Sequence, residues 1–364
     1  MRVAISGSSG LIGSQLTAAL EAEGHSITPI ICSGRKAPPG AVSLDVEALK
    51  HEEEGLFTTS STGWISPNPR RLDSLHCAEL EGIDAVVHLA GENIVKGRWT
   101  RSRKSKILNS RLLTTMAACK ALSQLQSPPV ALLTASAVGV YGDRKDEQLD
   151  ERSAPGFLDA PCPVCAPDVC GQDEEECGEL VEESICDLED EPRSSGAFFL
   201  AEVCERWETS RWAFPLLRTR TVSLRLGAVL SGKGGALMKM LPPFRWGLGG
   251  VIGSGEQYMS WIAIDDVVGA IKHVLATQTL QGPVNIVSPN PVTNREFTKT
   301  LGKVLRRPTL LPIPAFAVRL AFGELADALL LSSQRAIPRK LLESGYVFKY
   351  PVLEDALRHV LGVE

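Results

Sequence analysis

A doubly wound parallel α/β sheet is the fold this sequence predicts, and three observations predict it. A short apolar run, Val3 to Ile5, passes directly into Gly7-Ser-Ser-Gly10-Leu-Ile-Gly13 and then into a helical pattern of Ile12, Leu16, Ala19 and Leu20. Later strand-like runs near 26–31, 84–91, 130–134, 221–226 and 282–287 alternate with helical stretches. Several of those runs are apolar throughout, as strands covered on both faces are.

The first element is strand, glycine turn, helix. A glycine at the strand end permits a tight turn, and a second lets backbone approach a pyrophosphate. The third lets the helix pack close to the sheet, while the helix N-terminus offers free N–H groups and partial positive charge. In this context the three glycines predict a dinucleotide site in a Rossmann-type domain. The alternative is a glycine-rich turn that merely joins strand to helix.

The 364 residues suffice for one large Rossmann-type domain, 1–290, carrying insertions at about 44–63 and 145–196. A smaller, mostly helical C-terminal region follows over 291–364, expected to serve as a substrate-binding cap. Hydrophobic content of 44% and charged content of 22% are ordinary for a soluble domain. A net charge of −5 gives no global attraction to nucleic acid or anionic lipid. The richest apolar run, Pro314 to Leu331, is broken by Arg319, Glu324 and Asp327, so no membrane span is expected. Nine irregularly spaced cysteines read as free thiols. With the first strand beginning at residue 3, no leader peptide is expected. The expectation is a cytoplasmic protein whose partners are a small-molecule substrate and, at most, further copies of the chain.

Past the second strand, 26–31, comes Cys32-Ser33-Gly34-Arg35-Lys36, with no acid before Asp45. An acid there would bind the ribose hydroxyls of NAD, whereas a hydroxyl and two cations suit the 2′-phosphate of NADP(H). A solvated basic turn is the competing reading. Residues 44–63 are acidic, then Ser/Thr-rich, and lack periodicity. The run Asp84 to Gly91 ends in small residues, and Glu92 and Asn93 follow at the strand's carboxyl end, where open sheets bind ligands. Trp99 to Leu125 reads as a long helix whose basic start, Arg98 to Lys106, is expected to be a solvated face. Arg111 lies in its apolar part and is expected to turn inward. After Pro128-Pro129, strand 130–134 leads into Ala135-Ser136-Ala-Val-Gly139-Val-Tyr141-Gly142-Asp143.

The N-terminal glycines, His88-Leu-Ala-Gly-Glu-Asn93 and this Ser-Ala-x-Gly-x-Tyr-Gly segment together resemble an extended short-chain dehydrogenase/reductase. More narrowly, they resemble the "epimerase family protein" branch of the NAD-dependent epimerase/dehydratase superfamily, also labelled cell-division-inhibitor-like. Phe199 to Glu208, Arg225 to Leu237, Pro243 to Gly255 and Ser260 to Asp266 carry the resemblance on. Pro291 to Phe297 and Pro338 to Tyr346 resemble the branch's C-terminal extension. It covers nearly the whole chain outside the two insertions. The resemblance implies cofactor contacts from Gly7, Ser8, Gly10, Leu11, Ile12 and Gly13 around the pyrophosphate. It implies Ser33, Arg35 and Lys36 at the 2′-phosphate, and Leu89, Ala90 and Gly91 along the adenine and ribose. Arg111 matches a cofactor-contacting Arg of the branch, and Val229 a residue near the nicotinamide. NADP(H) is the cofactor it implies.

In this superfamily a Tyr, a Lys four residues on, and a Ser on the preceding strand assist hydride transfer, the Tyr exchanging the proton. Ser136 sits where that Ser would be, and Tyr141 is the nearby phenol; these two are the catalytic candidates. The Tyr-x-x-x-Lys pair itself is missing, its place taken by Phe198, Phe199, Glu202 and Val203. Ala263 stands where the branch usually carries a His, which leaves Glu92, Asn93, Asp265 and Asp266 as further polar candidates. Asp266 reads equally as a helix cap.

The insertion 145–196 holds Cys162-Pro-Val-Cys165 in a dense acidic context. A zinc site needs a second ligand pair at comparable spacing, and Cys170 and Cys177 do not supply one; no metal is expected. Leu230 to Gly235 reads as a loop, and 238–255, rich in Pro, Gly and aromatics, as an irregular pocket wall. Trp246 and Trp261 are pocket or packing aromatics. Two functions follow: an NADP(H)-dependent oxidoreductase or epimerase acting on a small hydroxyl or carbonyl compound, and a catalytically weak NADP(H) sensor working through a protein partner.

Overall fold

The computed structural model describes residues 1–32, 40–44, 57–59, 65–67, 78–156, 197–213, 216 and 218–363. Strands β1 (Arg2–Ser6), β2 (Ser26–Cys32), β3 (Val42–Leu44), β6 (Ala85–His88), β7 (Ala131–Ala137), β9 (Arg220–Leu226) and β13 (Gly282–Ile286) form one seven-stranded sheet. Its order is β13-β9-β7-β6-β1-β2-β3 and every pairing is parallel. The small strands β4 (Phe57–Thr59) and β5 (Ile65–Pro67) pair antiparallel with each other. Short pairs elsewhere are β8 (Gln148–Leu149) with β15 (Arg335–Ala336), β10 (Ala228–Leu230) with β12 (Trp261–Ala263), and β11 (Tyr258–Met259) with β14 (Val292–Thr293).

The chain order reverses beside β1, which lies between β2 and β6. In an open parallel sheet, that reversal leaves a crevice at the carboxyl ends of the strands. Side chains of successive strand residues point to opposite faces, so both faces acquire a core. Val3 and Ile5 face α1 (Leu11–Ala22) and α5 (Ile264–Ala276), with Val87, Leu133 and Val284 in the same cluster. Ala4, Val86 and Leu132 face α2 (Arg101–Ser123) through Met116, Ala117 and Leu122. This doubly covered sheet is the fold expected from the uniformly apolar runs. Helix α3 (Ala197–Thr209) then packs beside α2, with Phe199 edge-on to Trp99 at 4.9 Å between ring centroids.

A second, smaller core joins α4 (Gly235–Arg245), α6 (Asn294–Leu305) and α9 (Leu353–Leu361) around the fully buried Trp261. It draws on residues from both sides of position 290. Helices α7 (Ala315–Phe322) and α8 (Arg339–Glu343) lie between α6 and α9 in the chain. The start of α6 is fixed locally: Thr293 Oγ1 accepts from the Glu296 N–H while Glu296 accepts from the Thr293 N–H, a reciprocal cap.

Three expectations change here. The stretch expected to be irregular from 238 on begins as helix α4, with Pro242 and Pro243 inside it. Leu237, Leu241 and Phe244 are buried at helical spacing, and that face outweighs the prolines' missing N–H groups in the last turn. The basic start of α2 is not simply solvated. Arg103 pairs with Glu92 at 2.7 Å, Lys104 with Glu324 at 2.9 Å, and Arg98 reaches the Leu320 carbonyl at 3.2 Å. Asp266 is neither cap nor exposed acid. It is fully buried and accepts from the N–H groups of Lys349 (2.7 Å) and Tyr350 (2.9 Å) and from the Tyr346 hydroxyl.

Asp266 therefore staples the segment leading to α9 onto α5. We expect Asp266→Ala, which leaves two backbone donors without an acceptor, to lower the unfolding free energy by about 2–4 kcal/mol. Chemical denaturation measures this, and limited proteolysis should show earlier cleavage within 346–363. Unchanged stability would show that water replaces the carboxylate without loss.

Candidate functional site

The crevice is built first by the glycines. Gly7 ends β1 at φ +70°, and a Cβ on it would lie 2.9 Å from the Leu89 carbonyl carbon. A Cβ on Gly13 would fall far inside van der Waals contact distance of the Gly7 carbonyl oxygen. Both positions thus require glycine, one for conformation and approach, the other for approach alone. Gly10 precedes α1, its N–H bonded to the Gly7 carbonyl at 2.9 Å. No side chain caps α1 and its first turn holds no acid, so its first amides and positive end are left for an external anion. The sequence-predicted Ser8, Leu11 and Ile12 lie in this same turn.

Leu89, Ala90 and Gly91 arrive opposite, and what holds them there is a buried polar chain. Ser6 and His88 are in-register neighbours on β1 and β6. The N–H groups of Leu89 (3.1 Å) and Ala90 (3.2 Å) donate to Ser6 Oγ, which lies 2.7 Å from His88 Nδ1. Ser6 Oγ is then the donor to Nδ1, and His88 carries its proton on Nε2, directed at Thr114 Oγ1 at 3.1 Å. Thr114 passes its own proton to the Ser110 carbonyl at 2.7 Å. Burial pushes the His88 pKa down to about 4, so the ring is neutral near pH 7.

Arg111 turns inward as expected. Its Nη1 donates to the carbonyls of Ile107 (2.9 Å) and Glu92 (3.1 Å), and its guanidinium lies 4.9 Å from the Trp207 ring centroid. A Cβ on Gly91 would lie 3.5 Å from Arg111 Nη2, which places this cation directly beneath the loop. Val229, on β10, approaches from the other side: a Cβ on Gly235 would lie 3.0 Å from Leu11 Cδ2 and 3.7 Å from the Val229 carbonyl. Gly7, Gly10, Gly13, Leu11, Leu89 to Gly91, Arg111 and Val229 are thus brought around one crevice. Ser33, Arg35 and Lys36 lie outside the described residues, as does the Cys162–Cys165 pair. Among the described residues no cluster of metal-ligating side chains occurs.

Ser136 and Tyr141 are placed differently from groups that face a substrate. Ser136 Oγ donates to Glu208 Oε1 at 2.7 Å. Arg225 meets both oxygens of Glu208 at 2.9 Å and donates from Nη1 to the Tyr141 hydroxyl at 3.0 Å. That hydroxyl lies 2.8 Å from Asn285 Oδ1 and 2.9 Å from the Asp150 carbonyl, which share its single proton. Tyr141 is fully buried and Ser136 nearly so. Burial pushes the Tyr141 pKa up, and Arg225 only partly opposes it, so the phenol is a weaker acid than usual. Phe199, near the place of the missing Tyr, is buried, and Glu202 pairs with Arg206 at 3.2 Å. Glu205 has its pKa pushed up to about 7 by burial and by the carboxylates of Glu208 and Glu202.

Sequence reasoning missed Ser6, His88, Glu208 and Arg225. An Arg within a buried strand was a usable signal, since a buried cation demands a carboxylate. For Ser6 and His88 no local signal existed. We expect His88→Phe to remove a pH dependence. In the native chain the unfolded state takes up a proton near pH 6.5 that the folded ring refuses until about pH 4. Stability from this group is therefore full above pH 6.5 and lost as pH falls towards 4, by on the order of 3 kcal/mol. Denaturation of both chains at pH 7 and pH 4 measures the difference, which should be smaller in the variant.

Comparison with known proteins places the chain as a whole. The model of the "NAD dependent epimerase/dehydratase family" matches residues 3–162, and that of a "Domain of unknown function (DUF1731)" matches residues 313–360. The epimerase family protein Mb2239 of Mycobacterium bovis is 37% identical over 355 residues, covering 98% of this chain and 96% of its own. The epimerase family protein SDR39U1 of Homo sapiens is 32% identical over 364 residues, covering both chains in full. The crystal structure of that human protein (isoform 2) with NADPH superimposes with a TM-score of 0.74, over 100% of this chain and 99% of the other. A nucleoside-diphosphate sugar epimerase from Corynebacterium glutamicum is similar at 29% identity and a TM-score of 0.64, over 100% of this chain and 58% of that one. With its NAD(P)-binding fold and C-terminal extension, the chain belongs to the epimerase family proteins, relatives of the sugar epimerases.

Proposed function

We propose that the protein binds NADP(H) and acts as an oxidoreductase or nucleotide-sugar-epimerase-like enzyme on a small hydroxyl or carbonyl compound. The observation that carries this reading is the uncapped, acid-free N-terminus of α1, set over Gly7 and opposite Leu89 to Gly91. Amides of Leu11, Ile12 and Gly13 would hold the pyrophosphate, with the Ser8 hydroxyl beside them. Arg111, with Nη2 beneath Gly91, would add a cation to the ribose side. Ser33, Arg35 and Lys36 supply the chemistry a 2′-phosphate requires, and a relative 32% identical was crystallised with NADPH. Bound there, the nicotinamide supplies or takes up a hydride. Val229 would close the nicotinamide end.

Proton exchange is the weaker half of the machinery. Ser136 and Tyr141 hold their protons in the Glu208–Arg225–Asn285 network, and a raised phenol pKa opposes exchange near neutrality. General acid–base help contributes about 10²–10⁴-fold, so its loss leaves slow turnover rather than none. The same observation favours a second reading, an NADP(H)-binding sensor that signals to a protein partner.

A titration of the purified chain with NADPH and NADH, followed by nicotinamide fluorescence and thermal unfolding, tests both. NADPH should bind more tightly, and Arg35→Ala should weaken it by about 1–3 kcal/mol, the scale of a charge-assisted hydrogen bond. Tyr141→Phe should lower the unfolding midpoint with NADPH affinity retained. Binding of neither nucleotide would remove both readings.

A further inference from the structure

The face made by the end of α4, residues 308–311 and α7 has an unusual composition. The turn after α4 packs on Pro308, a Cβ on Gly247 lying 3.6 Å from Pro308 Cγ. The Ile313 N–H donates to the Val251 carbonyl at 2.8 Å, and the Gly253 N–H returns to Ile313 at 2.9 Å. Helix α7 follows at once, its end tied to Arg98 through the Leu320 carbonyl. These segments are thus neighbours on one side of the fold. On it Leu310 is 85% exposed, Leu320 77%, Trp246 76% and Phe316 71%. Of the eight residues of α7, Val318 alone is buried. Side chains this exposed protrude; they do not line a groove shaped for a folded partner. Several large apolar side chains exposed in one region mark a contact site.

Charge identifies the occupant. The three segments that meet here, 93–107, 228–255 and 297–323, contain no Asp or Glu. Lys96, Arg245, Arg306 and Arg307 are exposed and have no carboxylate partner among the described residues. Acids border these segments at Glu92, Glu256, Glu296 and Glu324, and each is engaged: Glu92 by Arg103, Glu256 by Arg295, Glu296 in the cap of α6 and Glu324 by Lys104. The molecule carries −5 overall, so this face inverts the global sign that argued against anionic lipid. A second copy docked by twofold symmetry would set cations against cations. Protruding Trp, Phe and Leu side chains among unpaired cations suit the boundary between acyl chains and anionic headgroups. We infer that this face docks the protein on an anionic phospholipid surface.

The test is co-sedimentation of the full chain with phosphatidylcholine vesicles and with vesicles that also contain phosphatidylglycerol. Binding should appear on the anionic vesicles and fall as salt is raised. W246S/L310S/F316S should abolish it. R245E/R307E should weaken it by roughly tenfold or more, since each cation near such a surface counts for several-fold. Both variants alter exposed side chains, so their unfolding midpoints should match the parent's. Binding to neither vesicle, equal binding to both, or binding indifferent to either variant would overturn the inference. So would a concentration-dependent dimer in light scattering that W246S/L310S/F316S dissolves, because the face would then belong to a second copy.

Discussion

No side chain fits between the Cα of Gly13 and the carbonyl oxygen of Gly7, and the rest of the crevice depends on that contact. It sets how closely α1 approaches the end of β1. That approach decides where the first amides of α1 point and which anion they can reach. Gly7 imposes the matching condition on the other side, because a Cβ there would strike the backbone of Leu89. Two strands and a helix thus meet at backbone distance, and only the absence of two methyl groups allows it.

Close approach also needs something to hold it. The Ser6 hydroxyl accepts from two successive N–H groups at the end of β6 and passes its proton to His88, which anchors in turn to α2 through Thr114. A neutral imidazole serves here because it accepts at one nitrogen and donates at the other. Complete satisfaction of a buried polar chain makes it rigid, and a rigid floor is what a nucleotide site requires.

How much of this was legible in the sequence follows from how local each feature is. The Gly7–Gly10–Gly13 spacing encodes its own sterics within one turn, so the turn and the fold class could be read directly. Arg111 was legible because it interrupts an apolar helix face. His88 stood in plain view within its strand, yet its partner Ser6 is 82 residues away in the chain, and register alone brings them together. The role of Ser136 was not legible for a related reason: its position at the end of β7 is a backbone property, whereas its partner Glu208 comes from a helix beyond a long insertion. Pro242-Pro243 misled, because breaker residues were weighed above the buried spacing of Leu237, Leu241 and Phe244.

The two cores of the protein are not independent. Leu11, in the first turn of α1, touches the loop that opens α4, and α4 belongs to the small core around Trp261. That core holds α9, which Asp266 secures to the main sheet's helix α5 through the backbone of Lys349 and Tyr350. A nucleotide bound at Leu11 and Val229 would therefore press on an element whose packing extends to the C-terminus. Anything that binds the folded state alone stabilises it by mass action, and through α4 both cores would share that stabilisation. The C-terminal extension also backs that loop directly, since the Val360 carbonyl of α9 lies against Gly232.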